Sequence, residues 1–277
     1  MGPDPNAYRA EMAKWRAEQE ADLKKENGWL SVAGLFWLAE GDNTVGSGAS
    51  CKIRLPGSAP ADVGVLSRNG EHVRLRVAAG VAVTVGGKPV TDQELKTDAK
   101  GSPDRVKVGD LTFTIIQRGA RIGVRLFDPN SKARRGFTGL HWFPVDPALR
   151  IKAAFNAYAK PKMIPITNVL GDVRMAPSPG YVEFKVGGRK MRLIAETTDT
   201  GLFFNFQDRT SGKTTYPAGR FLDAPKPSGG FVAIDFNQAT NPPCAFTSFA
   251  TCPLPPAGNR LGVAIRAGEL NYHLASG

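Results

Sequence analysis

From Cys51 onward the chain is written in short runs of alternating or β-branched apolar residues, each cut off by glycine, asparagine, proline or aspartate. CKIRL, HVRLRV, VAVTV, RVKV, LTFTII and IGVRLF succeed one another through Phe127. A strand sends successive side chains to opposite faces, so a period of two marks a half-buried strand, and a helical face cannot reproduce it. Runs this short, with a turn signal after each, point to a sandwich or barrel. Asn69-Gly70 and Gly86-Gly87 supply the positive φ that tight hairpin turns require. The 31 glycines and 21 prolines in 277 residues suit the same architecture.

A second series follows: GYVEFKV, RKMRLIAET, GLFFNFQD, GRFLDA, GGFVAIDF and, last, RLGVAIRAGE. Between the two series, residues 128–160 read as a connecting segment. Only residues 5–26 show a helical period. Tyr8, Met12, Trp15 and Leu23 share one face, Pro5 suits an early helical position, and Asn27-Gly28 is a stop. The chain is therefore expected to be mostly β. An N-terminal helix (1–28) packs by its Tyr8/Met12/Trp15 edge. A β-sandwich module (29–127), the connection (128–160) and a second antiparallel β-barrel or sandwich module (161–277) follow.

Charge narrows the partners. The formal net charge is +11, but Arg74 and Arg76 alternate with Val73, Leu75 and Val77, while Lys132/Arg134/Arg135 and Arg189/Lys190/Arg192 form separate clusters. Nucleic-acid binding needs such charges on one face, so it is not expected. The longest apolar run, WLSVAGLFWLA at 29–39, falls well short of the roughly 20 residues of a spanning helix. The first 27 residues are strongly polar, with no secretory leader pattern. A soluble, cytoplasmic protein without membrane partners is the expectation.

No complete catalytic motif is present. SGKTT (211–215) has Gln207 where a phosphate-binding loop needs its first glycine, and GGKP (86–89) has Ala82 there. No G-x-S-x-G elbow occurs. Of His72, His141 and His273, His141 in GLHWFP is the best placed for chemistry and is a secondary candidate. No cofactor is expected.

NPPCAFTSFATCPLPP (241–256) is the densest unusual stretch. Zinc ligands usually pair as C-x2-4-C, whereas seven residues separate Cys244 from Cys252, so no metal is expected. A disulfide and two buried thiols both fit the spacing. Pro242, Pro243, Pro253, Pro255 and Pro256 fix φ and remove amide donors, which makes a stiff loop and excludes a central strand.

DFNQATNPPCAFTSFATCPLPPAGNRLGVAIRAGE (235–269) closely resembles the signature of the DUF1684 family, a bacterial and archaeal domain of unknown function. ENGWLSVAGLFWLAEGDNTVGS, FDPNSKARRGFTGLHWFPVDP and FQDRTSGKTTYPAGRFLDA extend that resemblance over nearly the whole chain. By resemblance, Asp235, Asn237, Asn241, Cys244, Cys252, Asn259, Arg260 and Glu269 occupy motif positions; no activity is implied. NTVGSGASCKIRLP, VTVGGKPV and DRVKVGDLTFTI, within residues 44–127, are similar to forkhead-associated (FHA) domains, β-sandwiches that bind phosphothreonine. The arginine that grips phosphate in that family is Ser47 here, and GVLSRNGEHVRL lacks the Ser-x-x-His pair. The resemblance implies the shape without phosphothreonine-peptide binding.

Two functions are compatible with these residues. One is a site for a small polar molecule in the C-terminal module, with carboxylate acid/base chemistry within its reach. Its candidate groups are Glu196, Asp208, Arg209, Tyr216, Arg220, Asp235, Asn237, Asn241, Asn259, Arg260 and Glu269. The stiff loop would hold groups from the strands before and after it over the mouth of the module, with Asp235 or Glu269 inside a polar pocket. The alternative is a noncatalytic interaction or structural module using the FHA-like half. Under that reading, Asp208-Arg209-Thr210-Ser211-Gly212 is a turn, and the asparagines satisfy loop backbone.

Overall fold

In the first β series, Gly86-Gly87 makes the expected turn, whereas in Asn69-Gly70 the asparagine stays in its strand, paired with His72, and Gly70 alone takes positive φ. Gly86 and Gly87 take φ of 56° and 83° between β6 (Thr84–Val85) and β7 (Lys88–Pro89). Gly70, at φ 59°, opens the turn between β4 (Gly64–Asn69) and β5 (His72–Val77). These elements belong to a computed structural model that describes residues 4–272; His273 lies outside them. The chain forms two compact units, Leu23–Phe137 and a second made of Met1–Asp22 with Thr138–Gly277. Among the described residues, no helix is long and apolar enough to cross a membrane.

The first unit is a sandwich. Its six-stranded sheet runs β1 (Val32–Trp37), β11 (Arg121–Phe127), β10 (Leu111–Arg118), β9 (Val106–Val108), β6, β7. Its five-stranded sheet runs β3 (Ile53–Arg54), β2 (Gly41–Gly46), β4, β5, β8 (Asp92–Leu95). Val45, Leu66 and Leu75 from one sheet and Val106, Phe113 and Val124 from the other share one core. The alternation in HVRLRV is realised side by side. Val73 and Leu75 are buried, while Arg74 and Arg76 stay exposed and pair with Asp92 (2.6 Å) and Asp42 (3.0 Å).

In the second unit, α1 (Pro5–Leu23) buries Tyr8 and Met12, one helical turn apart, and sets Trp15 edge-on to Trp142 at 5.6 Å. The helix thus falls in the unit with the C-terminal sheets. β12 (Arg150–Thr167) and β13 (Val173–Val186) form a long hairpin whose pairing shifts between Ala157 and Lys162. The expected connecting segment therefore ends in strand from Arg150 onward. β14 (Arg189–Ile194) pairs with β13 and β18 (Phe231–Asp235) with β12. A smaller sheet runs β15 (Glu196–Thr197), β16 (Gly201–Phe206), β17 (Arg220–Pro225). Val182, Leu193 and Ile234 of the larger sheet meet Phe204, Phe206 and Leu222 of the smaller in one core. Of the two architectures expected, a barrel does not form: the sheets stay open and separate.

RLGVAIRAGE is apolar enough to read as a last strand, yet it is not one. Among the described residues, the β-pairing of 260–272 is limited to isolated bridges, Gln207↔Arg260 and Trp142↔Glu269. Leu261, Ile265 and Ala267 still enter the core. Leu261 N donates to the Gln207 carbonyl (2.7 Å), whereas the backbone groups of Ile265 and Ala267 find their partners in buried side chains.

Candidate functional site

The proline-rich stretch is anchored along its length. Short 3-10 turns at Pro243–Ala245 and Ala257–Asn259 follow Pro242 and Pro256, whose φ values of −67° and −60° the rings dictate. The Tyr216 hydroxyl donates to the Cys244 carbonyl (3.1 Å), and Asn205 Nδ2 to that of Pro253 (2.8 Å). The β12–β13 turn pairs with the far side of the loop, Val169 N donating to Cys252 O (3.0 Å) and Leu254 N to Thr167 O (2.7 Å). Within the loop, Cys244 N donates to Cys252 Sγ (3.0 Å) and Cys252 N to Cys244 Sγ (3.4 Å).

Asp208 and Arg220 form the most buried charged pair. Arg220 Nη2 donates to Asp208 Oδ2 (3.1 Å) with both side chains at most 1% exposed. The same guanidinium donates to the carbonyls of Ala267 and Ile265 (3.0 Å for the latter) and lies over the Phe206 ring. Asp208 in turn accepts from Ile265 N (2.7 Å) and from the backbone and hydroxyl of Thr210 (3.0 and 2.5 Å). Burial lowers the Arg220 pKa, and Asp208 opposes that shift. Arginine stays protonated throughout the accessible pH range, so the pair acts as a fixed clamp on Ile265 and Ala267.

Glu269 is likewise buried. Its carboxylate accepts from Asn241 N (2.8 Å) and Nδ2 (2.7 Å). Desolvation pushes its pKa up to about 7, against the pull of the Asn241 donors and Arg220, with Glu20 adding to the rise. Asn259 is a backbone surrogate: its Oδ1 accepts from Ile194 N (2.7 Å), and Nδ2 donates to Ile194 O (2.9 Å) and Asn205 O (3.0 Å). Asp235 and Asn237 lie beside the helix. Asp235 Oδ2 accepts from the Tyr8 hydroxyl (2.6 Å), and Asn237 Nδ2 donates to that hydroxyl (3.0 Å) and to Asp146 O (2.8 Å). Burial and the Asp235 charge raise the Tyr8 pKa far above its ordinary value. Glu196, buried, pairs with Arg174 at 2.5 Å. His141 is exposed, and its carbonyl accepts from Leu270 N (2.8 Å).

Only part of the candidate set converges on open space. A shallow cavity of about 400 Å³ is lined by Gln207, Asp208, Arg209, Ser211, Pro217, Arg260, Leu261 and Gly262. Asp208, Arg209 and Arg260 meet there, and Arg220 stands behind Asp208. Arg209 and Arg260 are exposed. Asp235 and Glu269 are absent from the lining, as are Glu196, Tyr216, Asn237, Asn241 and Asn259. Ser211 and Gln207 were not among the sequence candidates. The Asp208-Arg209-Thr210-Ser211 run carried the signal, since an aspartate that caps the amide two residues on makes an Asx-turn. Tyr8, which completes the Asp235 cluster, showed in sequence only as an apolar helix position.

The model of a family described as "Protein of unknown function (DUF1684)" matches residues 135–270. An uncharacterized protein of Haloarcula marismortui, solved by solution NMR, is 31% identical over 50% of this chain and 78% of its own, with a TM-score of 0.41. The FhaA FHA domain, solved with the intracellular domain of another protein, is 18% identical and covers 33% of this chain and 96% of its own, with a TM-score of 0.25. An FHA domain from a study of phosphothreonine-dependent interactions is also 18% identical, covering 34% and 92%, with a TM-score of 0.25. No curated protein matches.

Proposed function

Since this chain belongs to the DUF1684 family, whose description names no activity, we propose a function from the site itself: the C-terminal unit binds a small anionic, oxygen-rich molecule between Arg209 and Arg260. The observation that carries this reading is the pairing of two exposed arginines on one polar cavity. No hydrogen bond or ion pair to another side chain engages either guanidinium among the described residues. Ser211 adds a hydroxyl and Gln207 an amide to the lining. A guanidinium fork matches carboxylate or phosphate oxygens two at a time, and a pair of forks fixes an anion's orientation. The floor is rigid because Asp208 is held by Arg220, Thr210 and Ile265.

Binding, rather than carboxylate acid/base catalysis, follows from where the carboxylates lie. Asp208 is committed to its donors, and the Glu269 carboxyl, the one whose pKa rises to about 7, does not line the cavity. The test is thermal unfolding with a panel of anions (phosphate, sulfate, citrate, sugar phosphates and nucleotides). A ligand at a hundred times its Kd adds about 2.7 kcal/mol, or some 5–10 °C for a protein of this size. A shift that disappears in Arg209→Ala/Arg260→Ala supports the reading. No shift from any anion, or one indifferent to that double substitution, overturns it.

A second reading, a noncatalytic interaction module, has its own support in the β12–β13 hairpin. Cross-strand partners share a face, so the register Met163↔Pro177, Pro165↔Met175, Thr167↔Val173 builds one outward face. Met163, Val173 and Met175 there are 56%, 59% and 53% exposed. An uncharged face of this kind suits a second copy of the chain, because a two-fold interface sets a patch against itself. Sedimentation equilibrium that finds a dimer converted to monomer by Met163→Lys/Met175→Lys would support it. A monomer at all concentrations removes it.

A further inference from the structure

We propose that Cys244 and Cys252 form a thiol–disulfide exchange site in which Cys244 attacks and Cys252 resolves. Each cysteine's amide donates to the other's sulfur, at 3.0 and 3.4 Å. The two side chains therefore face each other across the base of the loop, and neither points away. A disulfide requires that arrangement, with Cβ vectors converging over a short Cα–Cα separation.

The backbone holds the pair in place. Tyr216 Oη donates to Cys244 O, Val169 N donates to Cys252 O, and Leu254 N next to Pro253 donates to Thr167 O. Pro242 and Pro243 precede the first cysteine and Pro253 follows the second. Ring closure then needs side-chain rotation and little backbone movement. Exposure sets the order of events: Cys244 is half-buried, whereas Cys252 is 5% exposed. A disulfide from solution meets Cys244 first.

The chemistry balances with one low-molecular-weight disulfide as oxidant. The Cys244 thiolate attacks one sulfur of the reagent, forming a mixed disulfide and expelling one thiolate. The Cys252 thiolate then attacks the Cys244 sulfur, forming the Cys244–Cys252 bond and expelling the second thiolate. The protein loses two electrons and two protons, and the reagent becomes two thiols. Cys51 is an internal control. It stands in the other unit, its thiol donating to Ala61 O (3.4 Å), and such a cysteine can proceed no further than a mixed disulfide.

The experiment treats the full chain with oxidised glutathione under native conditions, quenches with acid and maps the cysteines by mass spectrometry. The expected wild-type product lacks two hydrogens between Cys244 and Cys252 and carries no glutathione there. Its Tm should exceed that of the dithiothreitol-reduced form by about 5 °C, from closure of a short loop. Cys252→Ser should trap glutathione on Cys244, while Cys244→Ser should leave Cys252 unmodified. The proposal is overturned if Cys244 and Cys252 stay reduced while Cys51 is glutathionylated. Glutathione persisting on Cys244 of the wild type, without ring closure, also overturns it. The wild-type measurement decides the matter even if a serine variant fails to fold.

Discussion

Replacing Arg220 with methionine should be among the most damaging single changes in the C-terminal unit. The side chain is 1% exposed and donates to Asp208, Ile265 O and Ala267 O while covering Phe206. Methionine fills much of the volume but removes every donor. Breaking one side of a buried ion pair costs about 3–5 kcal/mol, because the partner charge is left uncompensated. Each buried carbonyl without a donor adds about 1–3 kcal/mol. These terms overlap, since relaxation that readmits water relieves all of them, so a total near 5 kcal/mol is expected. Domains are stable by about 5–15 kcal/mol, so this single change consumes a large part of the reserve. With a urea m-value of about 2 kcal/mol/M, the unfolding midpoint should fall by about 2.5 M. Exchange of the Ile265 amide, which donates to Asp208 Oδ2, reports on this unit alone. Arg220→Lys should not rescue, because a point charge cannot serve acceptors spread around a planar fork. Combining Arg220→Met with Asp208→Asn should show a coupling of about 2 kcal/mol or more. A loss below about 1.5 kcal/mol, or additivity in that cycle, would refute the account of the pair as a clamp.

Glu269 links stability to pH. Its folded pKa of about 7 exceeds the ordinary 4.5, so the native state holds the proton more tightly than the unfolded chain does. That contribution is full below pH 4.5 and fades as pH rises to about 7; the shift sets an upper bound of about 3 kcal/mol. Urea unfolding from pH 5 to 8 should lose most of this slope in Glu269→Gln, and an unchanged slope would assign it elsewhere. Tyr8→Phe deprives Asp235 and Asn237 of the shared hydroxyl and should cost about 2 kcal/mol. Amide exchange across Pro5–Leu23 should accelerate before that of the sheets, and equal acceleration everywhere would argue against Tyr8 as the fastener of α1. Neighbouring residues should differ sharply. Asn259→Ala should cost about 3 kcal/mol by chemical denaturation through its lost backbone bonds. Arg260→Ala should cost less than about 0.5 kcal/mol. Equal effects would contradict the assignment of one to structure and the other to the cavity.

The features legible from residue order alone are local ones. Alternation in HVRLRV requires a strand with Val73 and Leu75 inward, Gly86-Gly87 requires a turn with positive φ, and the Tyr8/Met12 spacing places both on one helical face. Each depends on residues a few positions apart, whose chemistry restricts φ and ψ directly. Proline count likewise marked 241–256 as a stiff loop. RLGVAIRAGE misled because apolar content reports burial, whereas a strand also requires a neighbouring backbone to pair with. The tertiary structure gave the middle of that segment Asp208 and Arg220 in place of a neighbouring strand. The candidate polar residues divided for the same reason. Asp235, Asn237, Asn241, Asn259 and Glu269 all lie in the signature stretch and look alike as site residues, yet Asp235, Asn237 and Asn259 found partners in distant segments, Asn241 and Glu269 found each other across the loop, and all became fasteners. Arg209 and Arg260, fifty-one positions apart in the chain, reach the same cavity because the isolated Gln207↔Arg260 bridge sets their segments side by side. Which polar groups are spent on holding the fold and which are left facing solvent is settled by long-range partners, and those exist only once the chain has folded.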